Sequence, residues 1–156
     1  MRGILFRGKD ENDGTWYEGF FVKQGDDSYI FTKAQVNRGI GINGWLNCCQ
    51  MYSVIPKTIG QYTGLKDKNG KRIFEGDIVR YIYEPGKGFW NAHQLSVIEY
   101  DGTGYHMKGI FGTNKYACMS GWLVSIPYDQ EVENIPEFEV IGNIHDNQEL
   151  LKEEPK

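Results

Sequence analysis

The chain has 156 residues, 24% of them charged, and a formal net charge of −4. A domain of this length can bury a real core. An acidic balance excludes a surface given over wholly to nucleic acid, and no apolar run approaches the ~18 residues of a membrane span.

Glycine, at 20 residues, and aromatics, at 14%, favour short strands and turns over helices. The start, "MRGILFRGKD", meets charge too soon for a signal peptide, so a cytoplasmic protein is expected. Residues 3–7 read as a strand, 9–14 as a turn and 15–23 as the returning strand. A second turn at 24–27 leads into a strand at 28–33. Residues 35–50 hold three glycines and no clean period, and read as a long loop. Residues 51–55 form a short strand that Pro56 stops or pushes to an edge.

The pattern sharpens after residue 57. Residues 58–65 and 71–74 read as a hairpin around Asn69-Gly70, a pair that tolerates positive φ. In residues 77–83 Ile78, Arg80 and Ile82 alternate with Val79, Tyr81 and Tyr83, as in a strand with one buried side. Residues 84–91 form a loop carrying Phe89 and Trp90. Residues 93–100 and 105–111 read as another hairpin, and residues 115–126 as one or two strands broken at Gly121. A late strand is expected at 137–144. A short helix is expected at 145–154, with Asp146 as cap and Glu149 completing a capping box. The centre of the strand at 93–100, Leu95 to Ile98, carries no charge. It reads as an unguarded edge that a second copy would cover, unless a barrel hides it.

One internal echo runs through the hairpins. Gly8 to Gly14 has the spacing of Gly64 to Gly70, and after a one-residue slip Tyr17-Glu18-Gly19 matches Phe74-Glu75-Gly76, with Val22 matching Val79. Convergent turn chemistry explains this, and so do two related β-modules in one chain. The expected architecture is mainly β, barrel-like or two packed β-subdomains built from hairpins, with a short C-terminal helix. One domain over 1–156 is expected, divisible at about 1–56 and 57–156.

Chemistry-bearing motifs are sparse. Glu75-Gly76-Asp77 sets two carboxylates around a glycine, which could hold a cation or act as an acid–base pair. A bend at Gly76, with Asp77 accepting backbone N–H bonds, fits the pattern better. His93, His106 and His145 lack metal-ligand spacing, and Cys48, Cys49 and Cys118 form no disulfide framework. Reduced thiols, no metal and no cofactor are expected. "GIGING" at 39–44 lacks the lysine and hydroxyl residue of a phosphate loop. Charge is uneven: residues 57–90 carry seven basic and four acidic residues, and residues 128–156 carry nine acidic and two basic. Lys71, Arg72, Arg80, Tyr81, Lys87, Phe89, Trp90 and His93 combine cations with flat rings, as single-stranded nucleic acid requires. The same rings serve equally as packing residues.

The strings "FRGKD", "IGQYTGLKDKNGKRIFEGDIV" and "VIGNIHDNQELL" resemble the YopX family of phage and prophage proteins over almost the whole chain, residues 84–135 being the least familiar. The resemblance implies a mainly β protein encoded by a phage or a prophage in a Gram-positive bacterium. It implies no catalytic residues. Thr63, Gly64, Leu65, Asp67, Gly70, Glu75, Gly76 and Asp77 match the family as signature positions of structural character. The expectation is a non-enzymatic accessory protein in the bacterial host cell. It would act by self-association, as a homo-oligomer, or by binding an unknown phage or host protein. The alternatives are a single-stranded nucleic-acid-binding protein using residues 71–93, and a small metal-dependent hydrolase.

Overall fold

The computed structural model describes residues 4–33, 49–81, 95–110 and 138–152. The chain divides into two compact units, Met1–Tyr62 and Thr63–Lys156. The loop read at 35–50, the loop at 84–91 and the strands read at 115–126 fall wholly or almost wholly outside the described residues. Among those described, no helix is long and apolar enough to cross a membrane.

The first unit is built from β1 (Phe6–Lys9), β2 (Trp16–Gln24), β3 (Asp27–Lys33), β4 (Cys49–Ser53) and the start of β5 (Gly60–Lys66). Their order is β4-β3-β2-β1-β5, with every pair antiparallel. Two close approaches set this packing. Gly8 faces the buried Val54, and a Cβ on Gly8 would lie 2.9 Å from a Val54 methyl. A Cβ on Gly19 would lie 2.0 Å from the Phe31 carbonyl oxygen, so only glycine fits there. Phe6 packs on Phe21 at 5.4 Å between ring centroids, and Tyr17 stacks on Tyr52 at 3.5 Å. An isolated bridge, Asp10 to Val54, ties the chain just after β4 to the end of β1. It does not close a barrel, because β5 already holds Phe6 and Arg7 on that edge of β1. A short 3-10 turn, Pro56–Thr58, follows, with proline in its first turn.

The second unit holds the end of β5, β6 (Arg72–Phe74), β7 (Asp77–Tyr81), β8 (Leu95–Tyr100), β9 (Tyr105–Gly109) and β10 (Phe138–Asn143). β5 and β6 form the expected hairpin, and the other four strands form an antiparallel sheet in the order β10-β7-β8-β9. Leu65, Ile73, Val79, Ile98, Met107, Phe138 and Val140 make one buried cluster, with Tyr105 packed against it. Ile78 is fully buried as well, so of the two described residues on the mixed face of β7 it is Arg80 that reaches solvent. The fold is thus mainly β, as two antiparallel sheets rather than a closed barrel.

Two expectations are corrected here. The strand Leu95–Tyr100, uncharged from Leu95 to Ile98, is not an edge: β7 and β9 occupy both its sides. Its lack of charge reflects an interior position, with Val97 and Ile98 buried. The C-terminal segment forms a 3-10 turn, Gln148–Leu151, among the described residues, not an α-helix. Asparagine side chains explain this. Asn143 Oδ1 accepts the N–H groups of His145 and Asp146, at 2.9 and 3.0 Å. Asn147 Oδ1 accepts the N–H of Asn143 at 3.2 Å. These bonds hold the backbone in turns that compete with a helix. Asn147, not Asp146, occupies the cap position, and Glu149 accepts from Asn147 Nδ2.

The internal echo has a geometric basis. Aligned on Asp10 and Asp67 rather than on the glycines, the two stretches need no slip. Lys9-Asp10-x-Asn12 matches Lys66-Asp67-x-Asn69, and Tyr17-Glu18-Gly19 and Phe74-Glu75-Gly76 follow at equal distance. Each aspartate is buried at the mouth of its hairpin. Asp10 Oδ1 accepts the Asn12 N–H at 2.7 Å, and Asp67 Oδ1 accepts the Asn69 N–H at 2.8 Å. Each aspartate carbonyl accepts from a glycine of positive φ, Gly14 or Gly70. The match is chemical up to that point and then diverges. Gly19 is required by the nearby Phe31 carbonyl, Gly76 by its φ of 80°.

Candidate functional site

In the opening hairpin of the second unit, Thr63 and Asp67 build architecture. Thr63 Oγ1 donates to the Ile73 carbonyl at 2.8 Å and accepts from the Leu65 N–H at 3.2 Å. Asp67 is fully buried. Its Oδ1 accepts the N–H groups of Asn69 and Lys71, and its Oδ2 that of Val140 at 3.0 Å, pinning the turn to β10. Burial pushes the Asp67 carboxyl up, but these three N–H groups and the Lys71 charge hold it below its ordinary value.

The Glu75-Gly76-Asp77 triplet turns the chain from β6 into β7. Gly76 N–H donates to the Ile98 carbonyl, and its own carbonyl accepts from Ile144. Asp77 is buried, with Oδ2 accepting the Phe74 N–H at 2.7 Å. Glu75 is half-buried, and its charge adds to the burial that pushes the Tyr105 hydroxyl up to about 12. The two carboxylates of the triplet therefore differ in environment, and Asp77 is committed to the turn.

Of the basic and aromatic set, Lys71, Arg72 and Arg80 are described and exposed. Lys87, Phe89, Trp90 and His93 lie outside the described residues, as does the side chain of Tyr81. Arg80 meets Glu139 across the β7–β10 pair at 3.1 Å. Lys68 reaches the same carboxylate oxygen at 3.2 Å. The two cations hold the Glu139 carboxyl below its usual range. Cys48 and Cys118 also lie outside the described residues, as does the side chain of Cys49. Among the described residues, no group of three or more His, Cys, Asp or Glu is placed to hold a metal ion.

The β8–β9 hairpin carries a further pair. His106 Nε2 lies 2.7 Å from Asp101 Oδ2. Asp101 Oδ1 accepts the hydroxyl and N–H of Thr103 and the N–H of Gly104. The Thr103 bonds, with His106 beside them, hold the Asp101 carboxyl well below the carboxylate range. Three of the four contacts lie within one turn, so the carboxylate closes the hairpin.

A larger feature lies on the first unit. Phe20, Phe31 and Met51 sit opposite one another on β2, β3 and β4, and Val22, Tyr29 and Ser53 form the next row. Phe20 and Met51 are each 58% exposed, and Val22 is 44% exposed. Phe31 and Tyr29 are half-buried beside them. Contiguous apolar surface of this kind marks an interaction face. Position-by-position reading missed it, but a signal was present. β2 carries Phe20 and Val22 on one face and Tyr17 and Phe21 on the other, so it has no polar face through its middle.

The chain matches a family model described as YopX protein over residues 5–152. It belongs to the YopX family. No curated protein matches it. This YopX chain is similar to a solved structure described as the crystal structure of protein EF1440 from Enterococcus faecalis. The identity is 23%, the match covers 97% of this chain and 99% of that one, and the TM-score is 0.50. At that identity the likeness is one of fold. Thr63, Asp67, Gly70, Gly76 and Asp77, within the matched range, close the β5–β6 hairpin and turn it into β7.

Proposed function

We propose that this protein is a phage- or prophage-encoded accessory protein of the bacterial cytoplasm that works by association rather than by catalysis, through the β2–β4 face. The carrying observation is the exposed row Phe20–Phe31–Met51, flanked by Val22 and Tyr29. The phage origin rests on what the resemblance to YopX proteins implies. The occupant we assign is a second copy of the chain. A three-stranded sheet face is broad and shallow, and another sheet face packs on it at about 10 Å. A copy of the same chain presents such a face with the same apolar residues, and a two-fold axis makes the contact self-complementary. The face carries the apolar core of an interface, and polar neighbours such as Glu18, Gln24 and Ser53 supply a rim.

Light scattering over a concentration series tests this reading. The wild-type mass should exceed 17.9 kDa at tens of micromolar, a range suited to moderate self-affinity. Phe20→Ser with Met51→Ser should return the monomer mass without loss of β-structure by circular dichroism. A wild-type monomer throughout the series would remove the reading.

A further inference from the structure

The apolar face of the first unit contains one group that can change its chemistry. Phe20, Phe31 and Val22 offer rings and methyl groups, but Met51, opposite Phe31 on β4, ends its row in a thioether. A thioether is apolar like its neighbours. Once its sulfur takes up oxygen, the sulfoxide is polar and accepts hydrogen bonds. Of the two methionines among the described residues, Met51 is 58% exposed, whereas Met107 is 7% exposed inside the core cluster of the second unit. An oxidant in solution therefore meets the first and not the second. The row offers nothing to answer the new acceptor. Phe20 and Phe31 carry no side-chain donor, and the hydroxyls of Tyr29 and Ser53 belong to the next row.

We propose that Met51 is a modification site at which hydrogen peroxide switches off the self-association assigned to the β2–β4 face; the proposal rests on that assignment. The sulfur lone pair attacks one peroxide oxygen and the O–O bond breaks. The other oxygen leaves as water after taking the proton of the oxygen transferred. Sulfur loses two electrons, and the peroxide gains them. The change is reversible, because methionine sulfoxide reductases return the thioether, one enzyme for each epimer. In the two-fold contact both copies of Met51 are covered, so the dissociated chain is the form open to oxidant. Once oxidised, a pair can form again only by burying two sulfoxides, one from each copy. A polar group buried without a partner opposes that burial. About tenfold for each sulfoxide gives about 100-fold in the dissociation constant of the pair.

Hydrogen peroxide added to the full chain, once dilute and once concentrated enough to associate, tests the proposal. Peptide mass spectrometry should find one added oxygen on Met51 well before Met107, and Met51 should be protected in the associated sample. Freed of peroxide, the oxidised chain should show by light scattering an association weakened about 100-fold. Treatment with the two reductases should restore it, which separates this change from oxidation of cysteine. Met51→Leu keeps an apolar side chain of similar volume. It should associate as the wild type does and keep its mass after the same treatment. An untreated chain that stays monomeric at every concentration removes the association itself, and the proposal with it. Where the untreated chain does associate, the proposal alone is overturned by an oxidised chain that keeps its mass. It is overturned equally by Met51 oxidising no faster than Met107, by Met51 oxidising as fast in the associated sample as in the dilute one, or by a Met51→Leu protein that peroxide still dissociates.

Discussion

A Cβ on Gly19 would lie 2.0 Å from a backbone oxygen, whereas one on Gly70 would meet nothing within 4 Å. Gly70 is constrained instead by its φ of 78°. The two glycines therefore predict different penalties. Gly19→Ala must push β3 away from β2 and should cost about 3 kcal/mol or more. Gly70→Val should cost roughly 1 kcal/mol or more, through backbone conformation alone. Thermal melts of both variants decide the ranking, and an unchanged melting temperature for either removes its assignment. Asp67 and Asp77 divide in a similar way. In Asp77→Ala the Phe74 N–H loses its acceptor, at about 0.5–2 kcal/mol, while Asp77→Asn keeps an amide oxygen for it. Asp67 uses both oxygens, so Asp67→Asn sets an N–H group against another at Lys71 and Asn69 or at Val140. That should cost about 1–3 kcal/mol. The sign with pH follows from the lowered carboxyl of Asp67. A folded value below the unfolded one adds stability above the unfolded value, and that stability is lost as pH falls through the folded value. Denaturant midpoints should therefore fall below about pH 4, and less steeply in Asp67→Asn. The need for a glycine at position 70 was legible in the sequence, because Asn-Gly turns demand positive φ. The need at position 19 was not, because the oxygen that excludes a side chain arrives from β3, twelve residues on.

At the scale of elements, every strand among the described residues falls within or beside a stretch whose alternation or turn residues announced it. The misreadings lie where side chains compete with the backbone or where strand order matters. The run at 145–154 carries helix-forming residues, yet Asn143 bonds the N–H groups of His145 and Asp146 and Asn147 bonds back to the Asn143 N–H, which sets turns ahead of the 3-10 turn. Local pattern cannot rank those bonds. The uncharged centre of β8 says "covered" without saying by what, and an edge awaiting a partner looks the same as a strand between two neighbours. The β8–β9 turn gives a test at this scale. Asp101 holds Thr103 and Gly104 through one oxygen. Asp101→Ala should speed amide exchange at Thr103 and Gly104 while leaving Val140, held by Asp67, protected. Equal protection at Thr103 in both proteins would show that the turn closes without the carboxylate.

For the whole molecule, the β2–β4 face should respond to the solvent in one direction. Apolar association through Phe20, Phe31 and Met51 should strengthen as sulfate is added, because excluded salts favour burial. Light scattering over one sulfate series measures this, and a mass that does not rise removes the assignment. Neither the apolar face nor the full set of contacts around the hairpin was legible beforehand. The cations at 71, 72 and 80 were visible as a cluster, but Lys68 and Glu139 join it only because Asp67 ties the hairpin to β10. The apolar row depends on cross-strand register, which sets Phe20 beside Phe31 and Met51.

The pairing of β1 with β5 joins Phe6 to Gln61, and the bridge beside it joins Asp10 to Val54. In time rather than space, the first strand made is the last of β1, β2 and β3 to gain its second neighbour. At roughly 5–20 residues per second of synthesis, the open edge of β1 waits several seconds for its second neighbour to leave the ribosome. Contacts of such long sequence separation also slow refolding of the finished chain, since the loop must close before any bond rewards it. The short β1–β2 hairpin, nucleated by Asp10, can form at once and hold one edge of the strand in the meantime. A nascent chain released before Gln61 should therefore carry that hairpin with an unfilled edge, and should be the species most prone to aggregate.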